Sequence, residues 1–187
     1  MRLPRFMILP ALAMLAGCGA SGDRAVARNV DANAQEAGNE AAPGPLSPLT
    51  VRTAGGVVRL DVEVAQTPQA RASGLMFRRA LAPDSGMLFL FLPPQIAAFW
   101  MKDTLIPLDM LFIRVDGTIA MIAPQVQPNT LETVSAGTPV VAVLELKGGR
   151  AAELGIKEGD LVNWGACVAP GAPQDRTSAI LDFCPGA

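Results

Sequence analysis

Between residues 57 and 64 the chain alternates, VVRLDVEV, with Val58, Leu60, Val62 and Val64 on one side and Arg59, Asp61 and Glu63 on the other. A period of two is that of a half-buried strand. The pattern then changes. In TPQARASG, Thr67 fits an N-cap, Pro68 the first helical position and Gly74 the place just past the end, so one short helix is predicted. GMLFLFL, 86–92, is a continuous apolar run between Ser-Gly and Pro-Pro, of a length that suits a buried strand. AAFWMK, 97–102, predicts the next strand. LDMLFIRVDGTIAMIA, 108–123, sets two apolar runs around Asp116-Gly117, a favoured tight-turn pair, and predicts a hairpin. VVAVLELK, 140–147, predicts a further strand, and GGRAAELG a short helix ended by Gly155. IKEGDLVNW reads as a turn at Gly159-Asp160 followed by a last strand.

Six or seven strands and one or two short helices thus fall within residues 50–165, an ordinary length for one domain. Strands dominate, so the expected fold is mainly β: an antiparallel sandwich or a jelly-roll-like, partly closed barrel. Residues 166–187 form a tail. It is loop-like through GACVAPGAPQDRTS, and AILDFC is expected to return and pack on the domain surface.

The first 49 residues follow a different pattern. Arg2 and Arg5 precede an apolar run at 6–16, too short to cross a bilayer, which takes about 20 residues. A basic head, a short apolar stretch and small residues at its end describe a secretory signal. Its last residues, LAGC at 15–18, resemble the lipobox of bacterial lipoproteins. That resemblance implies cleavage before Cys18 and acylation of its new N-terminus; an ordinary signal peptide with an incidental cysteine is the alternative. Several acyl chains anchor a protein stably. The expected place is the bacterial cell envelope, lipid-anchored and facing the periplasm. Gly19 rather than Asp after Cys18 points to the outer membrane over the inner. Residues 19–49 are rich in Ala, Asn, Gly and Pro and lack aromatics, so they predict a disordered tether. Such a segment typically spans roughly 30 Å.

Cysteine usage fits export. With Cys18 given to lipid, Cys167 and Cys184 remain, and an even remainder in an exported chain points to a disulfide, with two free thiols as the alternative. Composition excludes more than it suggests. Without Arg2 and Arg5 the chain carries 13 basic residues against 17 acids, a net charge of −4, with no basic patch for nucleic acid. It has no histidine, which removes the commonest general base and metal ligand. No cofactor is implied.

The blocks ARASGLMFRRAL, GMLFLF, FWMKDTLIPLDMLFI, VLEL and GIKEGDLV occur in this order. Over about 57–164 the chain resembles the domain-of-unknown-function 192 family, a bacterial and archaeal group. The resemblance implies a compact, mostly β domain of sandwich or jelly-roll type, and no defined activity. The family usually reads Phe-Trp-Met-Lys-Asn-Thr, whereas Asp103 here stands in the place of the Asn.

Seven residues break the apolar pattern: Arg78, Trp100, Lys102, Asp103, Thr104, Asp109 and Glu145. On an extended backbone Trp100, Lys102 and Thr104 share a side, giving an aromatic and cationic surface suited to a carboxylate, a sugar or a peptide end. The competing reading is internal ion pairing, Lys102 with Asp109 or Arg78 with Glu145, since charges inside apolar strands must be compensated. Asp103, Asp109 and Glu145 also admit a carboxylate-dependent hydrolase acting on envelope polymers. No nucleophile elbow, Cys-His pair or phosphate loop supports catalysis. Met76, Met87, Met101, Met110 and Met121 are spread over separate strands and read as core filling rather than a Cu(I) site. The expectation is a non-catalytic binding domain for a small polar or anionic ligand, or for an envelope protein. Arg78, Trp100, Lys102, Asp103, Thr104 and Asp109 are expected to line the site. A purely structural interaction domain without a pocket is the third reading.

Overall fold

The computed structural model describes residues 44–168 and 183–184, with the side chains of 166 and 167 left aside. The leader, Cys18 and the tether up to residue 43 lie outside the described residues, as does the side chain of Cys167. Among the described residues no helix is long and apolar enough to cross a membrane.

Seven strands form one sheet: β1 (Leu46–Thr53), β2 (Gly56–Ala65), β3 (Ser85–Gln95), β4 (Leu108–Ile113), β5 (Ile119–Val126), β6 (Val140–Lys147) and β7 (Leu161–Trp164), in the order β5-β4-β6-β3-β2-β1-β7. Two short helices, α1 (Pro68–Ser73) and α2 (Arg150–Glu153), complete the domain. The mainly β expectation holds, and the sheet curls without closing into a barrel. Its edges meet at one isolated bridge, Thr118 with Leu161. There Val162 N–H donates to Gly117 O at 2.9 Å and Ile119 N–H to Asp160 O at 3.0 Å.

The sheet is buried on both faces, which explains its sequence. One face gathers Leu49, Val51, Leu60, Val62, Leu88, Leu90, Leu111, Ile113, Leu144, Leu146, Val162 and Trp164. The other gathers Met87, Phe89, Phe91, Met110, Phe112 and Val143, covered by Leu75, Leu81, Ala97 and Met101 from the connections. Strands covered on both sides cannot alternate, so β3, β4 and β6 read as unbroken apolar runs. The buried methionines 87, 101 and 110 are part of this second core.

Three features depart from the sequence expectation. The ladder is antiparallel except for β2 with β3, which run parallel. The chain leaves β2, crosses the second face through α1 and 74–84, and re-enters in the same direction; a crossover is what parallel pairing requires. Residues 97–102 do not form a sheet strand. Phe99 bridges Val134 alone, and Met101 N–H donates to Thr130 O at 3.0 Å, so two connections pair above the second face. Finally, β1 starts at Leu46, inside the segment whose composition suggested tether, and pairs with β2 from Leu46↔Glu63 to Thr53↔Gly56.

The helix and hairpin signals hold. The Thr67 side chain accepts the Ala70 N–H at 3.0 Å, Pro68 opens α1, and Gly74 closes it at φ 49. Asp116 Oδ1 accepts the Thr118 N–H at 2.9 Å in the β4–β5 turn. On the outer edge of β5, Ile122 N–H donates to Glu158 Oε1 at 3.1 Å, and Pro124 has no N–H to offer. On the other edge Trp164 exchanges backbone hydrogen bonds with Phe183, and their rings stack at 4.2 Å. The tail therefore returns to the sheet, and Cys184 beside it is disulfide-bonded.

Candidate functional site

Strand register builds a row of side chains across the second face. Glu63 on β2 lies opposite Met87 on β3, Met87 opposite Glu145 on β6, and Glu145 opposite Met110 on β4. Two acids are thus sunk into an apolar surface, each nearly inaccessible: Glu63 is 7% exposed and Glu145 4%. Burying a carboxylate without a partner is costly, so each must be compensated or protonated.

Glu63 is compensated. Arg78 reaches it with two nitrogens, Nη1 to Oε1 at 2.7 Å and Nη2 to Oε2 at 2.9 Å, and the Gly44 N–H adds a third bond at 2.9 Å. A forked guanidinium–carboxylate contact of this kind is the strong form of an ion pair. Glu145 is not compensated. Among the described residues no donor reaches its carboxyl group, yet neither oxygen is sealed without a partner. Burial alone pushes its pKa from 4.5 up to about 8.

The space in front of Glu145 is a cavity of about 330 Å³. Phe89 and Phe91 rise into it from β3, Phe99 and Trp100 come from the 96–107 connection, and Arg71, Ser73 and Gly74 from α1 and its end. Thr104 adds a hydroxyl, and Met76 a thioether. Phe99 organises the aromatic wall, standing edge-on to Phe89 at 5.0 Å, to Phe91 at 6.2 Å and to Phe112 at 6.1 Å. Gly74 suits its positive φ of 49°, and a Cβ there would sit tightly, 3.3 Å from the Phe89 ring. The Arg71 guanidinium is held by Gln66 O at 2.6 Å and sits 5.8 Å from the centre of the Phe91 ring.

The six residues expected to line a site are only partly brought together. Trp100 and Thr104 line the cavity. Lys102 is exposed, its Nζ 5.8 Å from the Trp100 ring centre, and it does not line the cavity. Arg78 is taken up by Glu63 rather than by Glu145. Asp109 does not meet Lys102. It is fully buried and accepts three backbone N–H bonds at 2.8 Å, from Gln125 and Gly149 on one oxygen and from Ala151 on the other. Its work is to tie β5 and the start of α2 to β4.

Asp103 supplies a backbone conformation. Its φ of 55° is left-handed, and its carbonyl accepts the N–H of Phe77, itself at φ 63°, at 2.7 Å. Asn and Asp enter this region more readily than other residues with a side chain. An acid with a short side chain therefore suits position 103. Of the three acids considered for hydrolysis, only Glu145 lines the cavity. The paired carboxylates that glycosidic cleavage requires are not assembled there among the described residues.

Sequence reasoning missed Arg71 and the Phe89–Phe91–Phe99 wall as lining, and read Glu63 as solvent-facing. For Glu145 the signal was present: a lone acid in the apolar run VVAVLELK. What the sequence lacked was the register that denies it a partner.

No functionally curated protein matches the chain. Several solved structures resemble it, among them two bacterial proteins. A "putative transcription regulator" from Sinorhizobium meliloti 1021 is 40% identical at a TM-score of 0.63, over 66% of this chain and 96% of that one. A protein of unknown function from Novosphingobium aromaticivorans DSM 12444 is 42% identical at a TM-score of 0.63, over 66% of this chain and 91% of that one. The model of DUF192, described as "Uncharacterized ACR", matches residues 49–164, β1 to β7 and every residue lining the cavity, and the chain belongs to this family.

Proposed function

We propose that this chain is a lipid-anchored protein of the bacterial cell envelope whose β domain binds a small polar ligand and does not convert it. The observation that carries the binding reading is Glu145: a carboxyl only 4% exposed, which no described residue hydrogen-bonds or pairs with, lining a cavity of about 330 Å³. Small-molecule sites are commonly mostly apolar concavities with a few converging polar groups, at volumes of roughly 300–1,000 Å³. Glu145, Thr104 and Arg71 are those groups here, and the aromatic wall is the apolar part. Among the described residues Glu145 is the one acid lining the cavity, which favours binding over hydrolysis. The anchoring part rests on the leader and on LAGC ending at Cys18.

A thermal-shift screen of the mature chain against small envelope metabolites tests the binding part. Ligands that bind the folded state raise Tm as they saturate it. Hits are expected for the wild type and weaker or absent for Trp100→Ala. A broad library that leaves the wild-type Tm unmoved removes the reading.

A further inference from the structure

Resting on that binding reading, we propose that the cavity selects organic cations: small molecules whose protonated amino group meets Glu145 and whose carbon frame lies among Phe89, Phe91, Phe99 and Trp100.

One row of the sheet carries a contrast between two acids. Glu63 and Glu145 stand either side of Met87, at matching depth, on the same face. Among the described residues Glu63 receives a forked arginine and a backbone N–H, whereas no donor or cation reaches Glu145 and burial is the one influence on it. Among the described residues no cation is paired with Glu145. Arg78 is bound to Glu63; Arg71, on the cavity wall, is bound to Gln66 O and lies against Phe91; Lys102 is exposed, over Trp100. On β3 and β4 the residues opposite Glu145 are Met87 and Met110, which carry no charge. Burial is the one cause acting on Glu145, so none of these cations stabilises its ionised form. A cation that enters the cavity supplies the counter-charge that lets Glu145 ionise there.

The wall favours the same answer. Aromatic rings present a negative face that attracts cations, and desolvation strengthens the attraction. Three phenylalanines and a tryptophan around one acid suit an ammonium group with an apolar frame. They do not suit a metal ion, which needs several oxygen, nitrogen or sulfur ligands. Among the described residues no three His, Cys, Asp or Glu side chains converge. The site thus reverses the charge preference that Trp100 and Lys102 suggest from sequence.

Binding has a proton balance. Glu145, with a pKa of about 8, mostly carries its proton at pH 7. On binding, its O–H bond breaks, the proton leaves to solvent, and the carboxylate pairs with an amine that keeps its own proton. Close to one proton is released per ligand. Affinity therefore rises with pH, by up to about tenfold per unit below pH 8, and levels off above it.

Calorimetry on the mature chain tests this with phenethylamine, hexylamine and cadaverine against phenethyl alcohol and 3-phenylpropionate. Titrations run at pH 6, 7 and 8, in buffers of different ionisation enthalpy. Amines are expected to bind best, to bind more tightly as pH rises, and to release close to one proton at pH 7. Glu145→Gln is expected to weaken them by about a hundredfold, with its Tm showing that it is folded. The wild-type pH profile and proton count carry the test without any variant. Alcohol or carboxylate binding as tight as amine binding, or affinity that falls as pH rises, overturns the cation proposal and leaves the cavity a binding site for other chemistry. If no probe binds while the wider screen gives hits, the cation proposal fails alone. If the screen is silent too, both readings fail.

Discussion

Glu145 is set by its surroundings rather than by a partner, and this has a consequence for stability. Its pKa is about 8 in the folded chain against 4.5 when exposed. Below 4.5 both states hold the proton and the group contributes no difference. Between the two values the folded state keeps a proton that the unfolded state has released, so stability falls as pH rises through this window and is level above it. Glu145→Gln removes the slope. Melting curves of the two proteins should agree near pH 4 and separate above it, the variant being more stable by on the order of a few kcal/mol at pH 8. Parallel curves would mean that Glu145 titrates normally. Asp103 makes the second prediction at this scale. Asp103→Asn should change the urea midpoint little, since Asn tolerates the left-handed backbone, whereas Asp103→Val should cost about 1–3 kcal/mol. The charged residues were legible as exceptions to the apolar pattern, but their partners were not. Arg78 finds Glu63, 15 positions away, and Asp109 finds N–H groups 16, 40 and 42 positions on. Register fixes such meetings, and a one-residue slip would move every side chain to the other face.

Elements were easier to read than contacts, because periodicity and turn chemistry are local. The Thr67–Pro68–Gly74 signal gave α1, and Asp116-Gly117 the β4–β5 turn. Failures arose where a tertiary contact overrode the local pattern. The segment 97–102 has the composition of a strand, but Pro93-Pro94 and Pro107 bracket it, and Ala97 and Met101 turn down into the second core. β1 was hidden by Pro48 and by the polar residues before it, and it is held as a strand by β2 and β7 on either side. Asp109 is the joint between elements. Asp109→Ala would leave three backbone N–H groups of β5 and the start of α2 without their acceptor, two of them part-buried and that of Ala151 buried, and each buried group left unpaired costs about 1–3 kcal/mol. The expected loss is at least about 3 kcal/mol in urea unfolding, with Asp109→Asn retaining part of it. A loss below about 1 kcal/mol would show that water replaces the carboxylate.

At the scale of the molecule, the mainly β class and the order of elements were visible because one sheet buried on both faces writes long apolar runs. The parallel β2–β3 pair and the cavity were not, since both depend on how 66–84 crosses the second face. The proposed anchor belongs to the whole chain and is tested as such. Cys18→Ser should move the protein from the membrane fraction to the soluble fraction on fractionation of the cells that make it; retention in the membrane would overturn lipid anchoring. A chain held at a surface meets its own copies at high local concentration, and open strand edges recruit one another under those conditions. Here the outer edge of β5 spends one donor on Glu158 and lacks another at Pro124, while β7, four residues long, is partnered by Phe183. The two edges also touch at Thr118 and Leu161. Among the described residues the sheet therefore offers little template for an added strand, which suits a domain that can be crowded without polymerising.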